Sequence, residues 1–192
     1  MINEFFDSLL GVPGLTDIIA QGLGIVGMVI MILSFQCKSN KVFFLMQAAG
    51  SIMFVLNFLL IDAYGGSFFN AAGLIRGLLL SKNGKKTWKL IAIEVLFASS
   101  YVAGALLDSS TQQLILTAIP CIALMIITVF MWKGNPKHIR YAQISCSSPA
   151  WIVHNIFNFS LGGLICECFN MVSSAIFLIR ERVAAKSKAQ EQ

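Results

Sequence analysis

The chain has 192 residues, of which 57% are apolar and only 12% charged, with a formal charge of +5. Soluble domains carry about a quarter charged residues, and there are too few here to give each apolar helix a solvated back, which excludes an ordinary soluble fold. The basic balance does not indicate nucleic acid, because the bases occur in short clusters bounding apolar runs, as topology determinants and contacts to anionic lipid headgroups do.

The opening run Met1-Ile2-Asn3-Glu4-Phe5-Phe6-Asp7 is acidic where a cleavable signal peptide needs a positive segment, so no such peptide is expected. A helix needs about 20 apolar residues to cross the hydrocarbon core. The candidate spans are 18–36, 42–61, 66–81, 89–107, 112–132, 141–159 and 162–179. Backbone groups in lipid have to be satisfied internally, so each is read as a helix. The expected class is an all-α polytopic membrane protein with seven transmembrane helices. Asp62 to Gly65 turns the second span into the third, and Asp108 to Thr111 the fourth into the fifth, which leaves no room for an extramembrane domain. The tail after Arg182 is small and polar and is expected to be disordered.

Of the fourteen Lys and Arg residues, all but Arg76 lie outside the apolar stretches, and they fall in alternate loops. Lys38 and Lys41 occupy the first interruption, Lys82, Lys85, Lys86 and Lys89 the third, Lys133, Lys137 and Arg140 the fifth, and Arg180, Arg182, Lys186 and Lys188 the tail. Short basic loops stay cytoplasmic during insertion. The N-terminus is therefore expected outside and the C-terminus in the cytoplasm. Trp88 and Trp132 fall at the cytoplasmic ends of spans 4 and 5, where indoles favour the headgroup zone, whereas Trp151 lies mid-span.

Spans 1–3 overlay spans 5–7 at a shift of roughly 96 to 100 residues, with the fourth left over. Lys41 matches Lys137 and Gln47 matches Gln143 at 96, Asn57 matches Asn155 at 98, and Phe69-Asn70 matches Phe169-Asn170 at 100. The drift calls for small insertions, one inside a span, and Pro149 marks where the register slips. A competing shift of 97 pairs Gly65-Gly66 with Gly162-Gly163 and sets Glu167 opposite Asn70; the Phe-Asn match is preferred. A lone crossing between two three-span units returns the second in the same orientation, giving parallel repeats. The expected division is 1–82 for the N-terminal segment and first three-helix bundle, 83–111 for the linker helix region, 112–182 for the second bundle and 183–192 for the tail.

This 3+1+3 pattern resembles the SWEET/PQ-loop (MtN3-like) superfamily of small transporters. The run Lys38-Ser39-Asn40-Lys41, then Asn57-x(6)-Tyr64-Gly65, then Asn70-Ala71-Ala72-Gly73-Leu74 is similar to the first triple-helix bundle of those proteins. Over essentially the whole length the chain resembles the YgjV-type family of bacterial inner-membrane proteins. The SWEET resemblance implies that Asn70 and Asn170 contact a sugar and that prolines hinge the bundles. Pro120 and Pro149 fit that pattern in the second half, while the first offers only glycines, among them Gly24 and Gly50. Nicotinamide-riboside carriers of the PnuC type share the architecture, so it does not select a sugar.

Amides both donate and accept, which suits the hydroxyls of a neutral solute. The candidate binding residues are Asn57, Asn70, Asn155 and Asn170, with Trp151 one helical turn from Asn155. Interhelical glue is the competing role for these amides. Arg76, the lone base within a span, and Glu94 sit at similar depth and form a candidate ion pair, either functional or a lock on the linker helix. His154 and Glu167 are a candidate proton relay. The five cysteines fit no zinc spacing and read as small apolar packers. No nucleophile–base arrangement, phosphate loop or metal motif is present, so neither enzyme, cofactor nor metal is expected. The expectation is a carrier of a neutral polar solute (a sugar, nucleoside or vitamin-like molecule), with the lipid bilayer and that solute as its partners. The alternative is a non-transporting assembly partner or sensor. Gly22, Gly24 and Gly27 permit close helix approach, within the chain or in a homo-oligomer.

Overall fold

A computed structural model describes residues 14–34, 37, 39–81 and 86–190. The acidic N-terminal run and Lys38, Lys82 and Lys85 of the basic loops lie outside the described residues. The elements are α1 (Leu15–Ser34), α2 (Asn40–Leu60), α3 (Tyr64–Ser81), α4 (Thr87–Leu107), α5 (Thr111–Lys133), α6 (Pro136–Ala142), a π-helical turn (Gln143–Ser147), α7 (Ser148–Phe157) and α8 (Leu161–Gln190). Among the described residues, five helices are long and apolar enough to cross a membrane: Leu15–Ser34, Lys41–Leu60, Thr87–Leu107, Thr111–Lys133 and Leu161–Lys186. Their outer faces carry Ile18, Val29, Ile91, Val95, Ile122 and Ile179 in the open, which suits lipid and not water. The expected third span is the short, glycine-rich α3 that holds Arg76.

Two expectations need correction. The sixth span is not one α-helix, because the π turn separates α6 from α7 immediately before Pro149, a residue without an N–H to donate. The tail is not disordered from 183 onward, because α8 continues to Gln190. Ala, Lys, Arg and Gln propagate a helix well, and Lys137 ties Glu181 to the neighbouring α6 at 3.0 Å.

Local sequence sets the ends. Ser110 caps α5 by accepting from the Gln113 N–H, and α5 stops at Gly134, whose φ of 71° suits a residue without Cβ. Asn135 then accepts from the N–H groups of Lys137 and His138, with Pro136 in the first turn of α6. Lys89 is buried and donates to the Leu79 carbonyl at 3.3 Å, near the end of α3.

One turn occurs twice. Between α2 and α3, Ala63 N–H donates to Phe58 O at 2.9 Å and Ser67 N–H to Ala63 O at 3.1 Å, around a left-handed Asp62 with φ 56°. Between α7 and α8, Ser160 N–H donates to Asn155 O at 3.0 Å and Leu164 N–H to Ser160 O at 3.0 Å, around a left-handed Phe159 with φ 53°. Every position corresponds at a shift of 97, so the preferred Phe-Asn match gives way to the competing one. Asn70 answers to Glu167, Gly73 to Asn170 and Asn57 to His154. Gln47 and Gln143 still correspond at 96, and the residue gained between them and the turn falls where the π turn widens the helix.

Helix α2 packs between α1 and α3, α4 bridges α3 and α5, and α7 packs on α5 and α8. The first helix also meets the last. Glycines permit that contact: a Cβ on Gly162 would lie 2.7 Å from the Gly24 carbonyl oxygen. Gln21 seals the seam, donating to Phe159 O at 3.0 Å and accepting from Leu161 N–H at 3.2 Å. Gly24 and Gly50 serve close approach: α1 and α2 run unbroken through them, and a Cβ on Gly50 would meet Met31. Pro120 lies buried inside α5.

Candidate functional site

The apolar core gathers Phe54, Phe58, Phe69, Phe97, Leu124 and Trp151 from five helices, and beside it a cavity of about 90 Å³ opens among polar side chains. Helical spacing places its walls. Phe43, Gln47, Ser51, Phe54 and Phe58 recur every three or four residues along one face of α2. Asn70, Gly73 and Arg76 do the same on α3, and Gly163, Cys166, Glu167 and Asn170 on α8. Opposite, α5 contributes Leu124, Ile127 and Met131, and the broken sixth segment adds Arg140, Gln143, Ser147, Trp151 and Asn155.

The cavity runs from Phe43 and Arg140, beside the basic loops, inward to an aromatic floor. There Phe58 stacks on Trp151 with centroids 5.8 Å apart, and Phe69 meets the indole edge-on at 6.3 Å. His154 backs this floor, 5.2 Å from Trp151 and 5.5 Å from Phe58. Beyond it lies a hollow of about 10 Å³ lined by Asp62, Tyr64, Thr117 and His154, room for about one water. At that end Tyr64 Oη donates to Asp62 Oδ1 at 2.9 Å, and this bond, then the carboxylate's charge, raises the phenol above its ordinary pKa.

Four of the five expected binding residues line the cavity: Asn70, Asn155, Asn170 and Trp151. Asn70 donates to Gly66 O at 2.9 Å on its own helix. The Asn170 amide approaches Cys166 Sγ at 3.8 Å, while Oδ1 of Asn170 and Oδ1 of Asn155 are buried with no hydrogen-bond partner. Asn57 lies elsewhere. It donates to Ala20 O at 2.8 Å and accepts from Ser160 Oγ at 2.9 Å, clamping α1, α2 and the turn before α8. Its amide is spent on the Ala20 carbonyl and the Ser160 hydroxyl, a use that sequence position alone does not reveal.

The charged candidates are placed differently from expectation. Arg76 and Glu94 feel each other electrostatically. They do not form the expected contact, because Arg76 donates to Thr128 Oγ1 at 3.3 Å and both Glu94 oxygens are buried without a hydrogen-bond partner. His154 and Glu167 are not joined either. Nδ1 of His154 has no partner, and Glu167 Oε2 accepts from Ser148 Oγ at 2.6 Å and Gln143 Nε2 at 3.3 Å. Sequence reasoning missed Ser51, Ser147, Ser148 and Arg140. It noted Gln47 and Gln143 as a repeated pair, yet that repetition was itself the signal, since both line the cavity.

A family model described as Imp-YgjV, bacterial inner membrane protein, matches residues 18–184. No curated protein and no solved structure matches the chain.

Proposed function

The chain belongs to the Imp-YgjV family of bacterial inner membrane proteins, and from that starting point we propose that it carries a small polar solute across the inner membrane by alternating access. In this reading the helical segments cross seven times as two similarly oriented halves, α1–α3 and α5–α8, joined by α4, with the basic loops in the cytoplasm and the N-terminus in the periplasm. One observation carries the reading. The cavity lies between the halves and draws hydrogen-bonding side chains from both, with buried acceptors left unfilled on Asn155 and Asn170. Buried amide oxygens are normally satisfied, so an unfilled pair beside an aromatic floor is what a solute site presents.

Purified protein in liposomes, offered a panel of sugars, nucleosides, vitamins and organic acids, tests this. At least one solute is expected to move, and Asn70→Ala and Asn170→Ala are each expected to slow it about tenfold or more, since each removes a polar contact of about 1–3 kcal/mol. Flux unchanged in both variants would discard the proposed site. No flux for any solute would favour a non-transporting role for the fold.

A further inference from the structure

The pseudo-equivalent walls of the cavity are chemically unlike. Where α3 carries Asn70, Gly73 and Arg76, α8 carries Glu167, Asn170 and Ser173, so each half holds a charge that its counterpart lacks. Both turns into these helices lie at the same end, joined through Asn57 and Ser160. At the helical rise Arg76 therefore sits roughly 9 Å nearer the basic mouth than Glu167.

Arg76 offers five N–H donors in a fixed fork. It spends one on Thr128 Oγ1 at 3.3 Å, and its guanidinium carbon lies 5.5 Å from the Phe97 ring centroid. The rest of the fork has no acceptor among the described residues. A guanidinium within a membrane protein calls for an anion, and Glu94, near enough to interact electrostatically, makes no hydrogen bond to the fork. Deeper in, the chemistry reverses: Asn155 and Asn170 present unfilled carbonyl oxygens and Glu167 presents a carboxylate, all acceptors.

We propose that the cavity takes a small organic acid whose carboxylate docks on the open fork of Arg76 and whose far end presents hydroxyl or ammonium donors to Asn155, Asn170 and Glu167. The neutral solute suggested by the amides alone is thereby replaced by a hydroxy or amino acid. The proposal rests on the reading of the cavity as a solute site. Size agrees: about 90 Å³ is room for some six to nine waters, which matches an acid of three to five carbons.

Full-length protein with Trp88→Phe and Trp132→Phe, in lipid nanodiscs, leaves Trp151 on the cavity wall as the fluorescent reporter. Hydroxy and amino acids of three to five carbons, including 4-hydroxybutyrate and 4-aminobutyrate, are titrated alongside their neutral amides and alongside glucose and uridine. At least one acid is expected to shift the emission saturably, with its amide at least about tenfold weaker. Arg76→Gln is expected to abolish the acid's preference over the amide, and Arg76→Lys to retain part of it, because lysine keeps the charge without the fork. Circular dichroism checks folding, and should Arg76→Gln fail to fold, the acid–amide comparison and Arg76→Lys decide. Equal binding of acid and amide, or acid binding indifferent to Arg76, overturns the proposal. Binding of glucose or uridine without any acid overturns it while leaving the solute site standing, and silence from every probe removes both.

Discussion

The seam between the first and last helices makes a quantitative prediction through Gly162. A methyl group there would fall inside van der Waals contact with the Gly24 carbonyl carbon, 2.7 Å from its oxygen and 2.8 Å from its Cα. Ordinary contact distances require α1 and α8 to separate by about 1 Å. That motion strains the two Gln21 bonds across the seam, to Phe159 O at 3.0 Å and from Leu161 N–H at 3.2 Å, and the adjoining bond from Ser160 to Asn57 of α2 at 2.9 Å. Interhelical bonds in membranes average about 0.6 kcal/mol each, and overpacking costs about 1–3 kcal/mol. Alanine's better helix propensity returns about 1 kcal/mol. Gly162→Ala should therefore destabilise by about 2–4 kcal/mol. Gly22→Ala is the control, since a Cβ there meets nothing within 4 Å, and it should be neutral or stabilising by up to about 1 kcal/mol. Reversible unfolding in mixed detergent micelles, followed by circular dichroism, measures both. If Gly162→Ala unfolds no more easily than the parent, the inferred close approach of the two backbones is wrong.

Gly134→Ala should cost about 1–2 kcal/mol in the same unfolding titration, because φ of 71° places a Cβ against its own carbonyl. Glu181→Ala should change stability by less than about 1 kcal/mol, since its ion pair with Lys137 is solvent-exposed and screened; a larger loss would show that the end of α8 is anchored more firmly than its contacts allow. Ser148→Ala removes the 2.6 Å donor to Glu167 and should cost about 1.5–3 kcal/mol, with Ser148→Thr restoring part of it. An unchanged unfolding midpoint in Ser148→Ala would mean that the carboxylate does not depend on that hydroxyl. Reporter fusions at the two termini should fall on opposite sides of the membrane; the same compartment for both would rule out an odd number of crossings.

The helices were readable because apolar run length is a direct consequence of bilayer thickness, and the first five are found within a few residues of the expected bounds. The break in the sixth segment was half readable. Pro149 marked the neighbourhood, yet a π turn is a hydrogen-bond register and leaves no compositional trace. The repeat alignment went astray at Phe69-Asn70 because residue identity is a poor guide where two halves have diverged. The paired turns around Asp62 and Phe159 settle it through backbone geometry, even though an aspartate and a phenylalanine share no chemistry. Among the site residues, helical period groups Trp151 with Asn155, and both line the cavity. For Asn57 the choice between solute contact and interhelical glue, and for Arg76 and Glu94 their pairing, stayed open in the sequence because depth along a helix does not fix which way a side chain turns or which acceptor intercepts it.

If the halves rock against each other, the doublet of bonds from Gln21 together with Ser160–Asn57 acts as a latch on one side only. At roughly 0.6 kcal/mol apiece, three such bonds leave only a few per cent of resting molecules ajar on that side. An idling protein would then keep its vestibule facing the basic loops nearly all the time. Cargo that strengthens contacts elsewhere would have to spring the catch, so that unloaded cycling, and the leak it brings, stays rare.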